Sequence, residues 1–280
     1  MKPLIKSFLI LFFVGLTSCE DVIDVDVPAS ATRLVIEASL DWEKGTTGNN
    51  QVVKLSTSTP YFENSTNSVV TGASVKVTNN NSNAEYTFTD QNDGTYTISN
   101  FVPVINDSYT LEVTYNGEMY RATETLKSVS PIKRVEQSIE GGFDDEVLDV
   151  SIFWDDPADE ENFYLIRFIE QGDLVPEFED FPDEFVNGNE LDTFFEKDRE
   201  DDDQAEFNLG DTVEFILYGI SEQYDNYISL LIEQYDAAGD PFSAIPSKLK
   251  GNCINTTTPE NYPLGYFRLS EFDTVTYTFQ

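Results

Sequence analysis

The stretch SYTLEVTYNGEMYRATET, residues 108–125, decides the fold class of this chain. Asn116-Gly117 lies between two runs rich in Tyr, Thr and Val, which are residue types that favour strands. An Asn-Gly pair supplies the two positive φ angles that a two-residue hairpin turn requires, so it is the strongest short signal for a hairpin. We therefore predict antiparallel strands over residues 108–115 and 118–125.

Strand patterns continue on the N-terminal side of this hairpin. Residues 33–40 alternate and form one apolar face from Leu34, Ile36, Ala38 and Leu40. Further strands are predicted over residues 51–58, 73–78, 85–89 and 95–99, the last two around the turn signal Asn92-Asp93-Gly94. About seven strands with regular turns predict a β-sandwich over residues 33–130. Its sequences GASVKV, GTY and YTL resemble those of immunoglobulin-like and carboxypeptidase-regulatory-like β domains of cell-surface proteins.

Val129-Ser130-Pro131 is predicted to separate this sandwich from a second β-rich domain, residues 131–280. Its predicted strands span residues 147–154, 163–170, 213–218 and 264–278. Residues 178–203 are acidic and irregular, which predicts a long excursion with weak local structure. The predicted fold class is mainly β, with an N-terminal immunoglobulin-like β-sandwich followed by a β-rich domain that carries one amphipathic helix.

That helix is predicted over residues 221–238. Ser221 can cap its start, and Gly239 and Pro241 end it. A core-facing stripe is predicted at helical spacing, made of Tyr224, Ile228, Leu231 and Tyr235.

The N-terminus predicts export and lipidation. Lys2 and Lys6 precede a short apolar run that ends at Leu16, and residues 16–19 read Leu-Thr-Ser-Cys. This order predicts a signal peptide over residues 1–18, and the run is shorter than the ~20 residues that span a bilayer. Residues 16–19 resemble the bacterial lipobox, which implies that Cys19 carries the acyl chains that anchor the protein. The alternative is an ordinary secretory signal that contains a cysteine.

Residues 19–32 are then a lipidated acidic tether. Its start, Glu20 to Asp26, resembles the surface-export signal of Bacteroidota lipoproteins. The alternative is a solvated acidic tether with no export role. The predicted location is the outer membrane, lipid-anchored and exposed at the cell surface.

Charge excludes several classes of partner. The full chain has a net charge of −36, and without Lys2 and Lys6 the mature chain has 14 basic residues against 52 acidic ones, a net charge of −38. Such a chain repels nucleic acid and anionic membrane surfaces, so contact with the membrane is expected only through the anchor on Cys19. The chain contains no histidine, which excludes Ser-His-Asp and Cys-His catalysis and histidine-ligated metal sites. Cys253 is predicted to be a small buried hydrophobic residue.

Carboxylate groups give two candidate sites. The run DREDDD, residues 198–203, could bind calcium, but it lacks the spacing and central glycine of an EF-hand loop, and a charge run is usually a solvated face. Asp155 and Asp156 could act as a glycosidase pair, whereas Asp-Asp-Pro is also ordinary turn chemistry. We predict no catalytic residue, no cofactor and no metal ligand.

Aromatic residues in the excursion give a third candidate. They either form a binding surface or fix the loop to the sheet, and they are Phe181, Phe185, Phe194 and Phe195. Tyr61 and Phe62 pose the same choice. The ligand-binding residues are otherwise unknown from the sequence.

An ordered set of short motifs covers the mature chain. It comprises EDVIDVDVP after the lipobox, LVIEA (34–38), STPYF (58–62), WDDP (154–157), NFY (162–164), GIS (219–221), DPFS (240–243), GN (251–252) and LGYF (264–267). This set resembles a Bacteroidota lipoprotein family known as domain of unknown function 4249. The resemblance implies a non-enzymatic accessory or ligand-capture lipoprotein for a TonB-dependent outer-membrane receptor. A structural or adhesive surface protein is the alternative, and a carboxylate-based hydrolase is a third hypothesis.

Overall fold

The computed structural model describes residues 31–59, 68–143, 147–158, 160–182, 188–197, 206–237 and 249–280. Within these ranges the chain forms fifteen strands and one helix, α1 (Glu222–Asp236). The first seven strands are β1 (Leu34–Glu43), β2 (Gln51–Thr57), β3 (Ser74–Asn79), β4 (Glu85–Asp90), β5 (Thr95–Ile98), β6 (Ser108–Tyr115) and β7 (Glu118–Thr125). The others are β8 (Ile132–Ser138), β9 (Asp149–Asp155), β10 (Phe163–Glu170), β11 (Glu177–Pro182), β12 (Glu190–Glu196), β13 (Thr212–Ile220), β14 (Ile254–Asn255) and β15 (Leu264–Thr278). The predicted mainly β fold class is confirmed.

The hairpin that decided the fold class forms as predicted. β6 and β7 pair from Ser108↔Thr125 to Tyr115↔Glu118. Asn116 and Gly117 both have positive φ, 51° and 79°, as a two-residue turn of this kind requires.

The N-terminal strands form a β-sandwich in which β4 belongs to both sheets. One end of β4 pairs with β3, where Val75 lies opposite Phe88. Its other end pairs with β5, where Thr89 lies opposite Thr97. The first core between these sheets contains alternate strand residues with almost no exposure, including Ile36, Ala38, Val53, Val75, Val77, Tyr96, Tyr109 and Val113.

The long strand β15 belongs to both halves of the fold. Its first part pairs in parallel with β1, from Val35↔Leu264 to Glu43↔Phe272. Its second part pairs antiparallel with β13, from Tyr218↔Phe272 to Thr212↔Thr278. Its residues Phe267 and Leu269, together with Cys253, pack in the first core, so the predicted boundary at residue 130 does not fully separate the two cores.

A second core lies between β8, β9 and β12 on one side and β10, β13 and β15 on the other. Trp154 is its largest buried side chain and is fully buried. The expectation of weak structure over residues 178–203 is wrong for the part of this range that is described, 178–182 and 188–197, because that part contains β11 and β12. Leu191, Thr193 and Phe195 alternate inward along β12, while acidic residues occupy its outer positions and mask the strand pattern. Strand β8 was not predicted, because its two apolar residues, Ile132 and Val135, do not alternate.

Helix α1 packs on the opposite face of the sheet from the second core. Ser221 caps it as predicted, accepting a hydrogen bond from the backbone N–H of Tyr224. The predicted stripe is correct for Tyr224 and Ile228, which are buried, and wrong for Leu231 and Tyr235, which are 42% and 72% exposed. The buried face continues instead through Ile232, four residues after Ile228. The predicted last residue of the helix, 238, lies outside the described residues.

Candidate functional site

Several predicted site residues lie outside the part of the chain that the structure describes. These are the lipidation residue Cys19, the acidic run 198–203, and the aromatic residues Tyr61, Phe62 and Phe185. Among the residues that are described, no group of three or more acidic or cysteine side chains has an arrangement that could hold a metal ion. No helix in the same ranges is long and apolar enough to cross a membrane.

The carboxylates of Asp155 and Asp156 have separate structural partners. Asp155 is exposed and accepts a hydrogen bond from Lys133 Nζ at 2.9 Å. Asp156 is buried, and it accepts hydrogen bonds from the Tyr164 hydroxyl at 2.6 Å and the Gly188 N–H at 2.8 Å. These contacts fix the loop after β9 to β10 and to the start of β12, which fits the turn interpretation of Asp-Asp-Pro.

The described aromatic residues of the excursion pack mainly into the second core. Phe181 contacts Trp154 edge to face, with ring centroids 5.7 Å apart. Phe195 is buried and stacks on Phe168 at 5.1 Å. Phe194 contacts the highly exposed Phe143. Phe181 and Phe195 therefore hold β11 and β12 against the sheet.

Cys253 is a buried free thiol, as predicted. Burial raises its pKa to about 12, since a thiolate is costly to form away from water. The thiol therefore stays protonated and unreactive at neutral pH.

Sequence reasoning missed a buried polar junction where β1, β7, β15 and α1 meet. Arg268 donates from one guanidinium nitrogen to both oxygens of Asp41, at 2.8 and 2.7 Å. Its guanidinium carbon lies 4.7 Å from the ring centre of Tyr218 and 5.0 Å from that of Tyr224. Burial acts to lower the pKa of Arg268, but Asp41 and the two tyrosines outweigh it and keep Arg268 charged.

Glu124 forms the second part of this junction. It accepts hydrogen bonds from the Ser221 hydroxyl at 3.0 Å and the Tyr266 hydroxyl at 3.3 Å. Burial raises the pKa of Glu124, against the effect of its hydrogen bonds from Thr125, Ser221 and Tyr266. The residue that caps α1 is thus bonded to β7, so this junction has a structural role. The only sequence signal for it was an arginine, Arg268, within the predicted closing strands over residues 264–278.

An open groove lies on the outer face of the sandwich, across β2, β4 and β5. Its volume is about 510 Å³, within the range of roughly 300–1,000 Å³ that is usual for ligand pockets. Its lining residues are all uncharged, and they are Asn50, Gln51, Val52, Thr87, Thr89, Gln91, Thr97, Ile98, Ser99 and Asn100. Sequence analysis did not find this site, because threonines on one side of a strand are also what any solvated sheet face shows.

The cross-strand register brings the floor of the groove together. Thr97 on β5 lies opposite Val52 on β2 and also opposite Thr89 on β4. Residues opposite one another in antiparallel strands project on the same face, so these three side chains form one row. The turn after β4 contributes Gln91, whose side-chain amide donates to the Thr97 hydroxyl at 2.9 Å and to the Thr89 carbonyl at 3.0 Å.

Negative charge is concentrated away from this groove. Residues 31–130 contain 6 basic and 11 acidic residues, a net charge of −5. Residues 131–280 contain 8 basic and 37 acidic residues, a net charge of −29. The sandwich is therefore nearly neutral, and the rest of the protein is strongly anionic.

The family of the protein follows from comparison with known families. A family described as "Domain of unknown function (DUF4249)" matches residues 20–275. The chain belongs to this family. The match confirms the family resemblance seen in the motifs, and the DUF4249 region includes the groove, the buried junction and nearly all of β15.

Solved structures show only low similarity to this DUF4249 protein. A DUF4785 family protein from Legionella pneumophila is 13% identical, covers 68% of this chain and 53% of its own, and has a TM-score of 0.29. A segment of two fibronectin type III domains from chicken tenascin is 8% identical, covers 60% of this chain and 83% of its own, and has a TM-score of 0.21. A comparison with curated proteins gave no match.

Proposed function

We propose that this protein is a non-enzymatic lipoprotein of the outer-membrane surface that captures a ligand for a TonB-dependent receptor. The observation that carries the proposal is the lipobox-like sequence ending at Cys19, directly before the family match that begins at residue 20. Acyl chains at this position hold the protein on the bilayer, since each buried methylene contributes about 0.8 kcal/mol. The open groove gives the anchored body a surface on which to capture a ligand.

Charge supports an attachment through lipid alone. The anionic part of the protein, residues 131–280, is repelled by anionic headgroups and stays in the aqueous phase. The non-enzymatic assignment is supported by Asp155 and Asp156, because each carboxylate is already held by structural partners.

Lipidation is tested by growing cells with a clickable palmitate analogue and analysing the purified protein by mass spectrometry. We expect the label on the N-terminal peptide of the wild type and its complete loss in Cys19→Ser. Cys253→Ala is the matched control and should keep the label. An unlipidated N-terminal cysteine in the wild type would remove the basis of the proposal.

Receptor partnership is tested by affinity purification of the full-length protein from membranes in mild detergent. We expect a TonB-dependent receptor to co-purify, and protease added to intact cells to digest the lipoprotein. Repeated purification without any receptor, but with the protein exposed to protease, would favour a structural or adhesive surface protein instead.

A further inference from the structure

The groove on β2, β4 and β5 lacks any electrostatic feature that selects an ion. None of its lining residues is charged, although 24% of the residues of the chain are. A lysine that flanks it on the same face is paired. Lys76 Nζ lies 2.8 Å from Glu85 and 3.2 Å from Glu112 on one side.

The opposite flank carries one residue of each charge. Lys54 on β2 lies directly opposite Glu37 on β1 in the register of the two strands. The lining residues therefore offer no carboxylate to a cationic ligand and no cation to an anionic one. An anionic ligand is also repelled by the net charge of the whole protein. The electrostatics favour a neutral ligand.

Hydrogen-bonding capacity in the groove comes from side chains. At the floor of the groove, Val52, Thr97 and Thr89 belong to the ladders between β2 and β5 and between β4 and β5. The groove offers hydroxyl and amide groups. The hydroxyls of Thr87, Thr89 and Thr97 can each donate and accept a hydrogen bond, and the amides of Asn50 and Asn100 each supply both a donor and an acceptor.

One of these hydroxyls is oriented before any ligand binds. Because the Thr97 oxygen accepts from the Gln91 side chain, its own proton is directed toward a different acceptor. Gln91 is itself fixed, since its backbone N–H donates to the Thr95 carbonyl at 3.0 Å in the turn between β4 and β5. Val52, 43% exposed, adds an apolar surface at the end of the same row. The groove thus combines one ordered hydroxyl donor, mixed amides and a small apolar strip without charge.

We propose that this groove binds a neutral polyhydroxylated ligand, namely an uncharged oligosaccharide. Sugar hydroxyls both donate and accept, matching the threonines and asparagines, and sugar C–H groups pack on Val52. The inference rests on the proposed role in ligand capture and adds the chemical class of the ligand and the residues that select it.

The test uses full-length protein in mild detergent on an array of glucan, xylan, mannan and galactan oligosaccharides, with polyuronate and sulfated oligosaccharides as charged comparators. We expect binding to at least one neutral series and none to the charged ones. For a bound sugar, Thr97→Val should raise Kd about five- to tenfold, as the loss of one hydrogen bond predicts. Thr89→Trp, which fills the groove from an exposed position, should abolish binding.

Thr114→Val is the matched control, because Thr114 is an exposed threonine on β6 outside the groove, and its Kd should equal that of the wild type. Circular dichroism and urea unfolding establish that each variant is folded. Binding of charged sugars only, binding of no sugar, or wild-type affinity in Thr89→Trp would each overturn the proposal. A receptor that still co-purifies with the Thr89→Trp protein would show that the accessory role stands and that only the ligand class is wrong.

Discussion

Asp225 on α1 is expected to destabilise the folded protein at neutral pH. Its side chain is 8% exposed, and its Oδ1 is buried without a hydrogen-bond partner. Asp180 on β11 faces the same side of the helix, where the Ser229 hydroxyl donates to it at 2.6 Å. Burial, and then the negative charges of Asp180 and Glu222, raise the pKa of Asp225 from 3.8 to about 6. The strands packed against this helix face contribute two cations, Arg167 on β10 and Arg268 on β15. Arg167 is paired with Glu214 and Arg268 with Asp41.

The shift in pKa fixes both the sign and the size of the effect. The folded protein binds the proton more tightly than the unfolded chain, so protonation of Asp225 stabilises the fold. This stabilisation is complete below pH 3.8 and is lost as the pH rises through about 6. A difference of about two pKa units corresponds to about 3 kcal/mol in the free energy of unfolding. Above pH 7 the buried carboxylate is charged and this amount is missing.

The perturbation is Asp225→Asn, which keeps the shape of the side chain and removes its charge. We expect the variant to be about 2–3 kcal/mol more stable than the wild type at pH 7.5, with the difference shrinking toward zero at pH 4. Urea unfolding followed by circular dichroism at several pH values between 4 and 7.5 measures it. Glu233→Gln is the matched control, since Glu233 is exposed on the same helix, and it should change stability little at any pH. A variant that is less stable than the wild type at pH 7.5, or a difference that does not vary with pH, would refute the reasoning.

Three further changes test other parts of the structure. Arg268→Met leaves the Asp41 carboxylate without its partner and should lower the free energy of unfolding by about 3 kcal/mol. Adding Asp41→Asn to this variant should recover part of the loss, and equal losses in the single and double variants would contradict this. Gly265→Ala places a Cβ against the carbonyl oxygen of Ile36 at a φ of +88°, so urea unfolding should show a loss of about 2–4 kcal/mol, and an unchanged midpoint would count against it. Cys253 should resist iodoacetamide at pH 8 in the folded protein and react fully in urea, and rapid labelling of the folded protein would show that the thiol is accessible.

The sequence predicts those elements whose local signals agree with their environment. Asn116-Gly117 sits between strands with one buried face, and Ser221 precedes a run with helical spacing, so both the hairpin and the start of α1 were predicted correctly. β8 was missed because a bulge after Ile132 places its two apolar residues, Ile132 and Val135, three positions apart. β12 was missed because acidic residues occupy most of its outward positions. The charged residues of these strands form ion pairs with one another in the folded protein, as Arg134 does with Glu190 at 2.7 Å.

The groove and the buried junction are less predictable, because both are made by long-range pairing. Asp41 and Arg268 are 227 positions apart, and the sequence around either residue does not indicate a contact with the other. Thr89 and Thr97 are near in sequence, but Val52 joins their row only through the register between β2 and β5. A sequence pattern shows which residues share a strand face, whereas a site of this kind also depends on which strands are neighbours.

Because β15 contributes to both cores, a substitution that weakens this strand should lower the stability of both. Phe267 and Leu269 on one part of the strand complete the first core, and Val275 and Tyr277 further along pack against the second. Arg268, between Phe267 and Leu269, joins the first part of the strand to β1 through Asp41. Because one continuous strand is hydrogen-bonded to β1 and to β13, neither core can lose it without exposing a sheet edge and apolar surface in the other. The nearly neutral sandwich and the anionic remainder are therefore stabilised together, and the groove lies on a support that includes β15.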